Sequence, residues 1–280
     1  MAKRILFDRS IFHGTKFDQL KASSLVECAA SGEIEVFLTP MFFEETLMCG
    51  LHDKSTFVSH WEYISSIHNQ QWFKLASQII EVELGNKLVD LQYYLQFDRL
   101  IQNIRAGVEK FIAGDLPEDG LQRVLEQIDE NRNIRRQNRQ KRLAVRLKTP
   151  PGQYRFEEFF ERNVEWFIEK GLMDYHPNSE RFLYTWRKQR VECPFSEYFI
   201  RAWLSTIFLP AVNHQLKVGK NDRADAEQLA FLQWADIMVS DDTRFMKAAF
   251  DLLYSGTGKC LMTLQQFLSH LGDREVGLNS

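Results

Sequence analysis

The residues best suited to chemistry in this 280-residue chain are carboxylates, and they lie near its two ends. Asp8 closes the short apolar run Ile5-Leu6-Phe7, and Asp241-Asp242 close Ile237-Met238-Val239-Ser240. Between them, Glu44-Glu45 stand in a helix-forming stretch, and Asp222 and Asp225 lie at the head of another. In an open parallel sheet, ligands bind beyond the carboxyl ends of the strands, so two aspartates that each follow a strand point to one site. Carboxylates brought together repel one another. Hard divalent cations are the usual compensation, because Mg²⁺ and Mn²⁺ prefer oxygen ligands. With waters retained in its shell, such an ion activates a nucleophilic water and neutralises charge on a scissile phosphodiester. An acidic cluster of this kind predicts metal-dependent hydrolysis of nucleic acid.

Each acid also has a plainer reading. An Asp after an apolar strand is often a helix cap or loop residue, and Glu44-Glu45 alone read as a solvated helix face. Asp222 and Asp225 can complement a helix N-terminus, and Asp241-Asp242 can build a turn. What separates the readings is whether the elements around the acids bring them together.

Those elements follow α/β grammar at both ends of the chain. Ile5-Leu6-Phe7 and Glu35-Val36-Phe37-Leu38 are short apolar runs separated by a helix-length segment near residues 17 to 30, the pattern of buried parallel strands. Thr39-Pro40 is a cap followed by proline at the first helical position, and opens a helix through Met41-Leu47. From about residue 205 the same grammar returns: a helix over 224–234, a strand at 236–240, a helix over 245–253, a strand at 259–262 and a capped last helix. Residues 51–204 differ. Apolar residues recur there at helical spacing, as in Phe159, Val164, Phe167 and Ile168, strand signals are nearly absent, and Gly114-Pro117 and Thr149-Gly152 divide the region. The expected organisation is an α/β unit of residues 1–50 and 205–280 interrupted by a mainly helical insertion, 51–204.

The order Ile5-Leu6-Phe7-Asp8-Arg9-Ser10, Glu44-Glu45, Asp225-Ala226 and Val239-Ser240-Asp241-Asp242-Thr243-Arg244-Phe245, closing with Leu261-Met262-Thr263-Leu264-Gln265-Gln266-Phe267, resembles the PIN-domain nucleases. The resemblance covers about residues 1–50 and 205–280 and leaves the middle uncovered. It implies an α/β/α sandwich with a central parallel sheet, binding Mg²⁺ or Mn²⁺ and cleaving RNA, often single-stranded. It assigns metal ligation and catalysis to Asp8, Glu45, Asp225 and Asp242, with Ser10 and Ser240 as supporting hydroxyls. Glu44, Asp222 and Asp241 are the alternatives within their pairs. Consecutive helical residues point about 100° apart, so only one of Glu44 and Glu45 should face the site. The chain departs from the family pattern in having Ser240 where threonine is commoner, and in the length of its middle segment. A catalytically inert PIN-like module binding RNA or a protein through the insertion is the alternative implied by the same resemblance.

A second signal lies between Asn131 and Lys148, where eight basic residues occur with no acid, although the chain as a whole carries a net charge of −3. Arg132, Arg135, Arg136, Arg139 and Arg142 recur at three- and four-residue spacing, with Arg146 beyond, one face of a helix suited to a phosphate backbone. A solvated helix paired with acids elsewhere is the competing reading. Substrate grip or protein contacts through the insertion are therefore expected. Other signals exclude more than they suggest. Cys28, Cys49, Cys193 and Cys260 lack close spacing and read as reduced thiols. The seven histidines lack ligand spacing. Ser255-Cys260 misses the phosphate-loop pattern at its first glycine and its final hydroxyl. Trp61, Trp72, Trp166 and Trp186 read as core more readily than as base-stacking residues. The absence of a signal-peptide run or a 20-residue apolar span predicts a cytoplasmic protein without membrane contact.

Overall fold

The computed structural model describes residues 2–85, 90–96, 98–115, 154–172, 179–213, 215–216, 222–242 and 244–277, and the single positions 123, 126 and 130. Its centre is a five-stranded, all-parallel sheet with strand order β3-β2-β1-β4-β5. The strands are β1 (Lys3–Phe7), β2 (Ile34–Leu38), β3 (His68–Trp72), β4 (Ile237–Val239) and β5 (Cys260–Met262). Side chains alternate across the sheet as the pleat requires. Ile5, Phe7, Val36, Leu38, Ile237 and Val239 enter one core, whereas Leu6, Phe37 and Met238 enter the other. Each fully buried side chain of this size contributes about 1.5–3 kcal/mol relative to an exposed one.

Helices cover both faces. Against the first core lie α1 (Thr15–Lys21), α2 (Leu25–Ala30), α3 (Pro40–His52), α4 (Lys54–Ile67), α6 (Asp98–Ala113) and α12 (Leu264–Gly277). Against the second lie α5 (Ala76–Gly85), α7 (Phe156–Lys170), α8 (Ser179–Gln189), α9 (Pro194–Val212), α10 (Asp222–Phe231) and α11 (Phe245–Tyr254). This is an α/β architecture with a helical layer on each side of the sheet. Phe159, Phe167, Phe199 and Trp203, from the segment expected to be an insertion, share the second core with Leu6, Phe37 and Met238.

Several local signals are realised directly. The Thr39 hydroxyl accepts from the Phe42 backbone N–H at 3.1 Å, and Pro40 opens α3. A reciprocal box starts α12: the Gln266 N–H donates to Thr263 Oγ1, and the Thr263 N–H to Gln266 Oε1, at 3.2 and 2.9 Å. The segment near 17–30 is two helices rather than one. Ser23 Oγ donates to the Leu20 carbonyl at 2.6 Å, a local bond that competes with helix continuation. Strand β3 lies in the segment expected to be helical. Its sequence, His68-Asn69-Gln70-Gln71-Trp72, carries no apolar run and occupies the sheet edge, where one side of the ladder needs no partner. Among the described residues no helix is long and apolar enough to cross a membrane.

Candidate metal centre

The chain runs from β1 outward to β2 and β3, then returns to place β4 on the other side of β1, so the strand order reverses between β1 and β4. Crevices at such reversals are where open parallel sheets bind ligands. Asp8 and Ser240 follow these two strands. The Asp8 N–H donates to the Val239 carbonyl at 2.9 Å, extending the β1–β4 ladder to the site.

Asp8 is buried, and its Oδ2 accepts from two hydroxyls: Ser10 Oγ at 2.5 Å and Ser240 Oγ at 2.7 Å. Those serines accept in turn from the chain after β4, the Asp241 N–H donating to Ser10 Oγ at 3.3 Å and the Asp242 N–H to Ser240 Oγ at 3.1 Å. Both supporting hydroxyls thus bind the β1 end to the β4 end. They engage one oxygen of Asp8 and leave Oδ1 without a hydrogen bond among the described residues.

The adjacent acids at 241 and 242 divide. Asp241 Oδ1 accepts from the Leu264 N–H at 2.9 Å, at the start of α12, and its Oδ2 pairs with Lys16 Nζ at 2.7 Å. Asp242 accepts from the Arg244 N–H at 2.7 Å, and its charge is felt at Asp225.

Asp225, in the first turn of α10, is buried. Burial, then the charges of Asp8, Asp242, Glu45 and Asp222, push its carboxyl up from an ordinary 3.8 to about 9. Glu45, rather than Glu44, is among the strongest charges on Asp225. Asp222 is also buried, one turn before Asp225 on the same helix, so both members of that pair belong to the acidic region. Among the described residues, no three acidic, histidine or cysteine side chains stand at the spacing of a closed coordination shell. The carboxylates concentrate negative charge without closing on a point.

The residues of the basic run, Arg132, Arg135, Arg136, Arg139, Arg142 and Arg146, lie outside the described residues. Trp61, Trp72 and Trp186 are buried core residues, and Trp166 is partly buried against the second core. All four cysteines are free thiols.

One group near the site gives no spacing signal in the sequence. Arg9, directly after Asp8, is only 5% exposed. Its Nη2 lies 2.9 Å from Cys49 Sγ on α3 and 2.6 Å from His60 Nδ1 on α4. Burial, then the charge of Arg9, lowers His60 to about 4, so its ring is neutral and accepts from the guanidinium. Three residues so distant in the chain become neighbours only when α3 and α4 pack beside the end of β1.

Comparison with protein-family models, with curated proteins and with solved structures returned no match.

Proposed function

We propose that the protein is a PIN-type endoribonuclease that depends on Mg²⁺ or Mn²⁺ and hydrolyses RNA phosphodiester bonds. The observation that carries this reading is the convergence of Asp8, Asp242, Glu45 and Asp222 on Asp225 at the reversal between β1 and β4. A carboxyl pushed to about 9 by burial and neighbouring charge marks a place where anionic oxygens are crowded beyond what the protein alone balances. An all-oxygen set of this kind fits a hard cation, and Asp8, Glu45, Asp225 and Asp242 would hold it directly or through water. When bound, the cation would supply the positive charge that ionises the cluster and a polarised water able to attack phosphorus.

The remaining work belongs to the chain. Ser10 and Ser240 fix the Asp8 carboxylate through Oδ2, leaving Oδ1 available for a cation. Backbone N–H groups hold Ser240 and Asp242 in register, so the second strand end cannot swing away from the first. Burial of Asp225 excludes bulk water from one side of the site, which strengthens every charge interaction inside it. Arg132, Arg135, Arg136, Arg139, Arg142 and Arg146 would grip the RNA backbone.

The test is incubation with labelled single-stranded RNA and DNA, with Mn²⁺, with EDTA, and as Asp8→Asn and Asp242→Asn. Cleavage should require Mn²⁺ and fall at least 100-fold in either variant. Cleavage in EDTA, or by both variants at the normal rate, refutes the mechanism. Neutralising Arg135, Arg136 and Arg139 should weaken RNA binding and reduce its salt slope by about 0.7 per lost phosphate contact on a single strand.

A further inference from the structure

We propose that Arg9 is the positioning residue of the acidic site: a buried strut that holds α3, and with it Glu45, against the strand end carrying Asp8. The inference rests on the metal-site reading above and adds a residue that forms no ion pair with the carboxylates among the described residues.

The strut is a short chain of contacts. Arg9 is bonded through the backbone to Asp8, and its Nη2 reaches Cys49 Sγ at 2.9 Å. Cys49 lies one turn after Glu45 on α3, and its Sγ donates to the Glu45 carbonyl at 3.5 Å. The same Nη2 reaches His60 Nδ1 at 2.6 Å, which fixes the guanidinium from the α4 side. The His60 ring is held edge-on by Phe17, with centroids 4.4 Å apart, so the far end of the strut has a rigid seat. Strand end, Glu45 helix and α4 thus meet at one guanidinium.

Arg9 is a poor choice for stability. Among the described residues, its buried Nε and Nη1 have no hydrogen-bond partner and it forms no ion pair. Its hydrogen-bond partners are a thiol and a neutral imidazole, and its guanidinium carbon lies 5.3 Å from the centroid of the Phe12 ring. A buried charge with unmet donors and no carboxylate partner is costly, and an apolar side chain of similar volume is often tolerated better in such a place. Where a sequence breaks a packing rule in this way, function is the usual reason. What the planar guanidinium provides here is reach to two helices from one residue, at fixed angles.

The experiment compares wild type with Arg9→Met and Arg9→Lys. It measures hydrogen exchange across α3 without metal, thermal midpoint, and Mn²⁺ affinity by calorimetry. For Arg9→Met, exchange at residues 45–49 should quicken at least tenfold and Mn²⁺ affinity should fall at least fivefold, with the midpoint unchanged or raised. Arg9→Lys, which keeps the charge but not the fork, should restore less than half of the lost affinity. Exchange within twofold of wild type overturns the proposal. So does unchanged Mn²⁺ affinity despite faster exchange, since Arg9 would then serve the fold alone. If Arg9→Met fails to fold, Cys49→Ala removes one end of the strut and should show the same loss of Mn²⁺ affinity; no loss overturns the proposal. If wild type binds no Mn²⁺, the metal-site reading fails, and the exchange result alone then decides whether the strut exists.

Discussion

The Ser240 hydroxyl donates to Asp8 Oδ2 across 2.7 Å, joining the ends of two neighbouring strands that are 232 residues apart in the chain. Ser240 Oγ also accepts from the Asp242 N–H, so one small side chain holds two of the candidate ligands. Ser240→Ala should therefore cost about 1.5–3 kcal/mol in stability, the range for a hydrogen bond to a charged group. Cleavage should fall about tenfold or more, and Ser240→Thr should recover most of both. Chemical denaturation and a cleavage assay on the same preparations check this; equal activity in Ser240→Ala would remove the serine from the site.

Asp241 and Asp242 should separate by function. Asp241→Ala removes an acceptor at the start of α12 and an ion pair with Lys16. Loss of a helix-end acceptor costs about 1 kcal/mol, and the partly exposed ion pair adds little. Its Mn²⁺ affinity should stay within twofold of wild type. Asp242→Asn should reverse the pattern, with Mn²⁺ affinity reduced at least tenfold and the thermal midpoint nearly unchanged.

Asp225 carries a stability cost in the metal-free protein. Its carboxyl is raised from 3.8 to about 9 by burial first and neighbouring acids next. A raised pKa favours the protonated form in the fold, so its contribution is full below 3.8 and is lost as pH rises toward 9. Asp225→Asn should raise the metal-free midpoint at pH 7 by several degrees and flatten the pH dependence across that window. The same variant should lose the stabilisation that Mn²⁺ gives wild type, by the linkage of binding to folding. Calorimetric scans with EDTA and with Mn²⁺ test both halves.

Glu83 offers a second pH effect, remote from the acidic cluster. Buried in α5, it accepts from the Phe195 and Ser196 N–H groups at the start of α9, from the Ser196 hydroxyl, and from Tyr94. Burial nevertheless pushes it up from 4.5 to about 7, against the pull of those donors. Stability from this group is full below pH 4.5 and falls as pH rises through 7. Glu83→Gln should remove that decline. Urea midpoints at pH 4.5, 6 and 7.5 measure it, and an unchanged slope would show that Glu83 is not its source.

How much was legible depended on whether a feature was local. The cap at Thr39, the proline opening α3, the strands ending at Asp8 and Ser240, and the box at Thr263-Gln266 all rest on chemistry within four residues. The sequence order accordingly displayed them. Edge strand β3 escaped because Asn69, Gln70 and Gln71 carry no period-two apolar pattern. Its place follows from the free edge of β2 and from His68 and Trp72 being buried there.

By itself, then, the sequence determined the residue types of the site and the strand ends and helix starts that bear them, because caps and apolar runs act over a few residues. Only the tertiary structure separated the partners of neighbouring acids. Asp241 bonds to α12 and pairs with Lys16, whereas the charges of Asp242, Glu45 and Asp222 act on buried Asp225. It also decided that Arg9, Cys49 and His60 meet. The physical reason is the same in each case: burial and the field of a neighbouring charge depend on distance through space, and the reversal of strand order at β1 and β4 closes more than 200 residues of chain to one hydrogen bond.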